Sequence, residues 1–259
     1  MSCLFSLLYW VFLATSSVLL FLVALLLRLA TAPFDSNRSV LHRFTCRWAQ
    51  LYVRCLPGCR LRLEGREKIA PHTPYVLVAN HQSMIDIMVL SALAVPFKWV
   101  SKKEVFRLPF IGWNMALNGY VRVDRGNRRT ATASIDACRR WLARGVPVMM
   151  FPEGHRSPTG AMLAFHRGAF RLAAEFGCAV VPIVVDGTLP IYRGFRVSAF
   201  PGTVRVLVLD PVTLAEAGGS LDRLRDLVHQ RMAQALTEIR PARAGAATAL
   251  REGSSLERT

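Results

Sequence analysis

The chain has 259 residues, 52% of them apolar, and carries 33 Lys and Arg against 17 Asp and Glu, a formal net charge of +16. That apolar fraction excludes a chain disordered throughout, and a single long charge-free run excludes a polytopic membrane protein, which leaves one globular domain with extensions. Only Lys68, Lys98, Lys102 and Lys103 are lysines, so 33 − 4 = 29 of the basic residues are arginines; their planar forks suit phosphate, although a GC-rich genome produces the same bias.

From Cys3 to Leu27 no residue is charged, and about 25 such residues are enough to cross a hydrocarbon core with some tilt. A membrane anchor is expected. A cleaved signal peptide competes through the small residues Ala30-Thr31-Ala32, but the apolar run is too long, no basic residue precedes it, and Pro33 would follow the cut. Arg28, Arg38, Arg43, Arg47 and Arg54 all follow the run, which places the rest of the chain on the cytoplasmic face of the cell inner membrane by the positive-inside rule.

The next segment, Ser39 to Leu56, mixes Leu41, Phe44, Trp48, Leu51 and Tyr52 with arginines, the pattern of a helix lying at an anionic membrane surface or packed on the domain. A two-helix hairpin dipping into one leaflet, broken near Pro33-Phe34-Asp35-Ser36, is a further arrangement. Residues 1–57 thus form an N-terminal anchor and interfacial helix. Six cysteines occur without a CxxC pair, and they read as reduced thiols; Cys55 and Cys59 lack the second Cys/His pair that zinc requires, so no metal is expected.

Beyond Pro57-Gly58, short runs rich in β-branched residues predict strands at 61–64, 75–80, 98–102, 119–123, 146–151, 179–185 and 204–210. Helices are predicted near 84–94, 130–144 and 167–176, with a closing helix from Leu221 to Ile239 whose Leu224, Leu227, Val228 and Leu236 share a stripe. The alternation predicts an α/β fold with a mixed, largely parallel sheet flanked by helices. Residues 58–240 form this domain, and the Ala/Gly/Ser/Arg tail 241–259 is expected to be disordered.

Three strand ends carry chemistry. NHQSMID, Asn80 to Asp86, follows a strand and precedes a helical run; with His81 in the turn and Asp86 in the first helical turn, the carboxylate can hold one imidazole nitrogen and leave the other as a general base. Ser83-x-x-Asp86 also has the spacing of a capping box, which would explain Asp86 without catalysis. FPEGHRS, Phe151 to Ser157, offers Gly154 for close backbone approach, Glu153 as an acceptor for hydroxyls and Arg156 as a phosphate fork, or else a turn with a surface ion pair. GYVRVDR, Gly119 to Arg125, ends a further strand with Arg122 and Arg125, preceded by KKEVFRLPFIGW at 102–113; a solvated basic edge is the alternative there.

NHQSMID, KKEVFRLPFIGW with GYVRVDR, FPEGHRS and the strand VVPIVV appear in the order and spacing of the glycerolipid acyltransferases, and over about residues 60 to 210 the chain resembles that family. The resemblance implies His81 as catalytic base and Asp86 as its orienting partner, with Arg125, Glu153, Gly154 and Arg156 binding the glycerol phosphate and Pro182 matching the fourth block. It further implies an enzyme that needs no bound cofactor, with acyl-CoA or acyl-carrier protein as donor substrate and lysophosphatidic acid as acceptor. His155 departs from the pattern, where Thr is usual, and bears on which headgroup is recognised. A lyso-ornithine or other lysolipid acceptor would keep His81 and Asp86, and a non-catalytic protein binding an anionic membrane would need neither. No nucleic-acid-binding signature accompanies the charge.

Overall fold

The computed structural model describes residues 2–124, 128–193, 196–197 and 202–240. The tail expected to be disordered lies outside the described residues. Seven strands form one sheet in the order β1-β9-β6-β2-β5-β3-β4, with β1 Cys59–Glu64, β2 Tyr75–Ala79, β3 Lys98–Lys102, β4 Val121–Val123, β5 Val148–Met150, β6 Ala179–Asp186 and β9 Gly202–Val208. β6, β2, β5, β3 and β4 run parallel. β9 pairs antiparallel with β6 and parallel with β1, so those two strands run the other way. The mixed, largely parallel sheet expected from the sequence is therefore present.

The central strands read as near-continuous apolar runs because both of their faces are covered. Val76, Leu77, Val78 and Ala79 of β2 are wholly buried, as are Val180, Val181, Ile183, Val184 and Val185 of β6. Odd and even positions serve two separate cores. Leu77 and Ala79 pack with Val181 and Ile183 beneath α2 (Ser39–Arg54) and α3 (Ile85–Leu90). Val76 and Val78 pack with Val180 and Val184 beneath α5 (Arg128–Leu142), α6 (Gly168–Phe176) and α7 (Leu221–Ile239). Not foreseen were α4 (Ile111–Leu117), the two-residue strands β7 (Tyr192–Arg193) and β8 (Arg196–Val197), and the single 3-10 turns at Arg66–Lys68 and Val105–Arg107.

The N-terminal run is one helix, α1 (Ser2–Thr31), about 45 Å long at 1.5 Å per residue. It is the one helix among the described residues long and apolar enough to cross a membrane. A single stripe, Ser6, Tyr9, Leu13, Ser17, Ala24 and Thr31, is buried against the protein. Val197 N–H donates to Ser6 Oγ at 3.0 Å, the Tyr52 hydroxyl of α2 meets Ser16 and Ser17 Oγ at 3.0 and 3.1 Å, and Phe21 packs on Phe110 and Trp113. The opposite side exposes Leu4, Leu7, Leu8, Val11, Leu19, Leu22, Leu26 and Leu29.

The turn after α1 is fastened by polar contacts. Asp35 accepts from Ser39 N–H at 2.7 Å and Val40 N–H at 2.8 Å, starting α2, and Arg38 Nη1 donates to the carbonyls of Ala116 and Leu117 that end α4. Lys98, 1% exposed, donates from Nζ to Asn37 O and Asn118 O, both at 2.8 Å. Burial lowers its pKa to about 7, with the nearby positive charge of Arg38 adding to the effect. His42 is likewise buried and pushed down to about 3, so its neutral ring lies between the Tyr120 hydroxyl at 2.9 Å and Val95 O at 3.1 Å.

Candidate active site

In a parallel sheet, side chains carried by the loops after the strands converge at the carboxyl edge. β2 ends at Ala79, and Asn80 closes the gap beyond it: its amide donates to Val185 O at 2.8 Å and accepts from Val185 N–H at 2.7 Å, copying a strand pair with β6. The turn is thereby fixed where His81 leaves the sheet. α3 begins four residues later and carries Asp86 in its first turn.

His81 Nδ1 lies 2.8 Å from Asp86 Oδ2. The same carboxylate oxygen accepts from the backbone N–H groups of Gln82 at 2.6 Å and Ser83 at 2.8 Å, and Oδ1 accepts from the Thr188 hydroxyl. Asp86 is 0% exposed. A carboxylate with four donors around it accepts only, so the imidazole carries its proton on Nδ1 and presents a lone pair at Nε2. No described residue bonds Nε2. The His81 ring stacks on Phe151 at 3.9 Å with the planes 8° apart, and Phe151 in turn stacks on Trp99 at 5.5 Å. One face of the base is therefore walled by aromatic carbon while its edge stays open.

The capping-box reading is half realised. Asp86 receives the Ser83 N–H, as the box requires, but Ser83 Oγ is buried with no hydrogen-bond partner among the described residues. Asp86 therefore caps its own helix and orients His81 with the same oxygen.

FPEGHRS lies beside this pair, on the loop after β5. Glu153, expected to face the acceptor, is instead 1% exposed, with Oε1 accepting from His81 N–H at 2.7 Å and Oε2 from Leu163 N–H at 2.9 Å. Burial pushes its pKa up, partly opposed by those two N–H groups. Its position is that of a strut between two loops. Ser157 N–H returns a bond to His81 O at 2.8 Å, so the backbone of His81 is held on both sides. Gly154 occupies φ +77°, a conformation that side chains other than glycine resist. Arg156 and His155 are both exposed, and Arg156 has no carboxylate partner among the described residues. Arg125 lies outside the described residues. Pro182 is in β6, paired with Val78.

Thr188, Asn80 and Phe151 were not singled out from the sequence. Thr188 lies 102 positions from Asp86, and no local spacing signals such a contact.

A buried carboxylate holding a histidine at the carboxyl edge of an α/β sheet, with a glycine turn and an exposed arginine on the neighbouring loop, has the chemistry of an acid–base site. The acyltransferase family model matches residues 60–186. The chain is 36% identical over 230 residues to a 1-acyl-sn-glycerol-3-phosphate acyltransferase of Chlamydomonas reinhardtii, covering 88% of this chain and 67% of that protein. It is 32% identical over 216 residues to the 1-acyl-sn-glycerol-3-phosphate acyltransferase of Pseudomonas aeruginosa, covering 81% of each. The crystal structure of the 1-acyl-sn-glycerophosphate acyltransferase PlsC from Thermotoga maritima has the same fold, with a TM-score of 0.75 over 92% of this chain and 95% of that one at 22% identity. The chain belongs to the acyltransferase family.

Proposed function

We propose that this protein transfers a fatty acyl group from an acyl thioester, acyl-CoA or acyl-carrier protein, to the sn-2 hydroxyl of 1-acyl-glycerol-3-phosphate, giving phosphatidic acid. The observation that carries the reading is the His81–Asp86 pair, with Nε2 open at the carboxyl edge of the sheet. Nε2 removes the hydroxyl proton as the oxygen attacks the thioester carbonyl. The C–S bond then breaks, and the imidazolium returns its proton to the departing thiolate, so the histidine is regenerated. Asp86 stabilises the imidazolium between the two steps, and Thr188 fixes Asp86. Arg156 and Arg125 hold the acceptor phosphate by charge-assisted bonds, Gly154 lets the turn approach it, and Glu153 positions the loop that carries His81.

The outward face of α1 suits hydrocarbon, while its inner face packs on the domain from Ser6 to Thr31. In that arrangement the protein sits on one leaflet with α1 and α2 partly immersed, which agrees with the hairpin alternative better than with a free-standing span. The domain, residues 58–240, then works at the cytoplasmic surface of the inner membrane. The test is purified protein given acyl-CoA or acyl-carrier protein and a panel of lysophosphatidic acid, lyso-ornithine lipid and neutral lysolipids. Thiol release dependent on lysophosphatidic acid supports the reading; release with lyso-ornithine lipid alone reassigns the acceptor, and release with none removes the catalytic reading.

A further inference from the structure

A second concentration of positive charge lies along β4, the edge strand of the sheet. Strands β2, β5, β3 and β4 are parallel, so Gly119 and Tyr120, which enter β4, lie at the edge opposite His81. Beside them a cavity of about 620 Å³ runs along β4 beneath α5, lined among others by Lys103, Arg122, Arg140, Trp141 and Arg144. Among the described residues Asp124 is its one lining acid, and it pairs with Lys103. Arg122, Arg140 and Arg144 have no carboxylate partner among the described residues.

The end of the cavity nearest the hairpin is built for close approach. Gly119 holds φ +70°, and a Cβ there would stand 2.8 Å from Arg38 Nη1 and 2.9 Å from Trp141 Cζ2, so a glycine is what admits the guanidinium and the indole together. Over that indole, Arg144 Cζ lies 5.1 Å from the ring centroid. Burial, and after it the positive charges of Arg28 and Arg144, lowers the pKa of Arg38. Asp35, at the start of α2, accepts backbone N–H groups on both oxygens. Like charges gathered in this way repel one another unless an anion joins them. Just beyond, the end of α1 and the hairpin turn expose Leu26, Leu29 and Phe34, the last 73% exposed. The cluster thus meets water on one side and a lipid-facing surface on the other.

We propose that this cavity binds the phosphate headgroup of an anionic phospholipid of the surrounding leaflet, at a site distinct from the acyl-transfer centre. The proposal rests on the chain working at a lipid surface, as read above, and does not depend on acyl transfer. Arg140 grips the phosphate from α5, Arg144 from the turn after it and Arg122 from β4. A bound headgroup would set the height of the domain on the membrane.

The experiment is partition of the full chain onto phosphatidylcholine vesicles with and without 20% phosphatidylglycerol. Three proteins are compared: wild type, the double variant Arg140→Gln/Arg144→Gln, and Arg60→Gln/Arg62→Gln. The last removes the same charge from exposed positions on β1, the opposite edge strand. At roughly tenfold or less for each arginine near a charged surface, the α5 variant should bind anionic vesicles about 10- to 30-fold more weakly, and neutral vesicles like wild type. The β1 variant should lose less than threefold. Equal losses in both variants would mean a diffuse field without a site, and overturn the proposal. Displacement from anionic vesicles by millimolar inorganic phosphate or CoA would assign the cavity to a soluble phosphate, and also overturn it. Turnover of a water-soluble short-chain lysophosphatidic acid should be unchanged by Arg140→Gln/Arg144→Gln; its loss would place these arginines in the acceptor site. Should wild type prove unable to transfer acyl groups at all, the vesicle comparison still decides the proposal.

Discussion

Replacing Glu153 by Gln separates two accounts of the FPEGHRS loop. In the structure, both carboxylate oxygens accept backbone N–H groups, from His81 at 2.7 Å and Leu163 at 2.9 Å, and the side chain is 1% exposed. A glutamine has the same shape but one acceptor and one donor end, so its NH2 must face one of those two N–H groups. Losing a bond to a charged acceptor costs roughly 1.5–3 kcal/mol, and a buried donor left unsatisfied falls in the same range. For a chain of this size each kcal/mol lowers the melting temperature by about 2–4 °C, so Glu153→Gln should melt roughly 3–12 °C below wild type. Because one of the two bonds holds the His81 backbone, kcat should also fall, by up to about 10²-fold if the base moves by an ångström. KM for lysophosphatidic acid should move less than about twofold, since no substrate contact is removed. Thermal unfolding in detergent and steady-state kinetics on the same preparation give all three quantities. An unchanged melting temperature with a KM raised tenfold would show that Glu153 contacts the acceptor and that the strut argument is wrong.

His81→Ala should abolish turnover while leaving folding and membrane binding intact, and His155→Ala, at an exposed turn, should keep most activity; the reverse outcome would identify the other histidine as the base. Arg156→Ala should raise KM for lysophosphatidic acid about 10- to 150-fold, the equivalent of 1.5–3 kcal/mol, with Lys a poor substitute because it lacks the fork; an equal effect on a lysolipid without a phosphate monoester would remove it from the headgroup site. Thr188→Val, which keeps shape and deletes the hydroxyl bonded to Asp86, should lower kcat roughly two- to tenfold and displace the acidic limb of the pH–rate profile, whereas a merely structural threonine would alter stability alone. Global stability should rise with pH between about 7 and 9: Lys98, lowered to about 7, is already neutral in the folded state while the unfolded chain still holds that proton, so each pH unit adds up to about 1.4 kcal/mol. Above about 9 the buried thiols Cys46 and Cys138, raised to about 12, reverse the slope. Denaturant midpoints at pH 7, 8 and 9 for wild type and Lys98→Met test the assignment, and an identical slope in both proteins would refute it.

What could be read from the sequence depended on how far apart the interacting residues stand. Each main-sheet strand was visible because Val, Ile and Leu crowd into short runs, and α7 matches the expected span because its apolar stripe is periodic. The His81–Asp86 pair was legible through a five-residue spacing that one turn and one helical start can close. α4 was missed because its seven residues, with Pro109 just before them and Gly112 in the first turn, are too few for a periodic signal. Glu153 was assigned to the substrate because a carboxylate in a loop looks available until the fold buries it against two N–H groups. Thr188 and Asn80 act across more than a hundred positions, a distance over which a single sequence carries no pairing information.

These long-range bonds also explain why the base can sit on a loop and still hold its position. His81 receives bonds from three directions: Asp86 through its ring, Glu153 through its N–H and Ser157 through its carbonyl. Asp86 and Glu153 are each almost wholly buried, so water does not compete for them, and each is anchored further by Thr188 or Leu163. The loops after β2, β5 and β6 are thus joined by carboxylates instead of by apolar packing. That choice leaves the open edge of the imidazole polar and accessible, as proton transfer from an alcohol requires, while the core beneath stays dry. It also makes the site fail as a unit: removing either carboxylate should disturb His81 by comparable amounts, and combining the two losses should cost less than their sum.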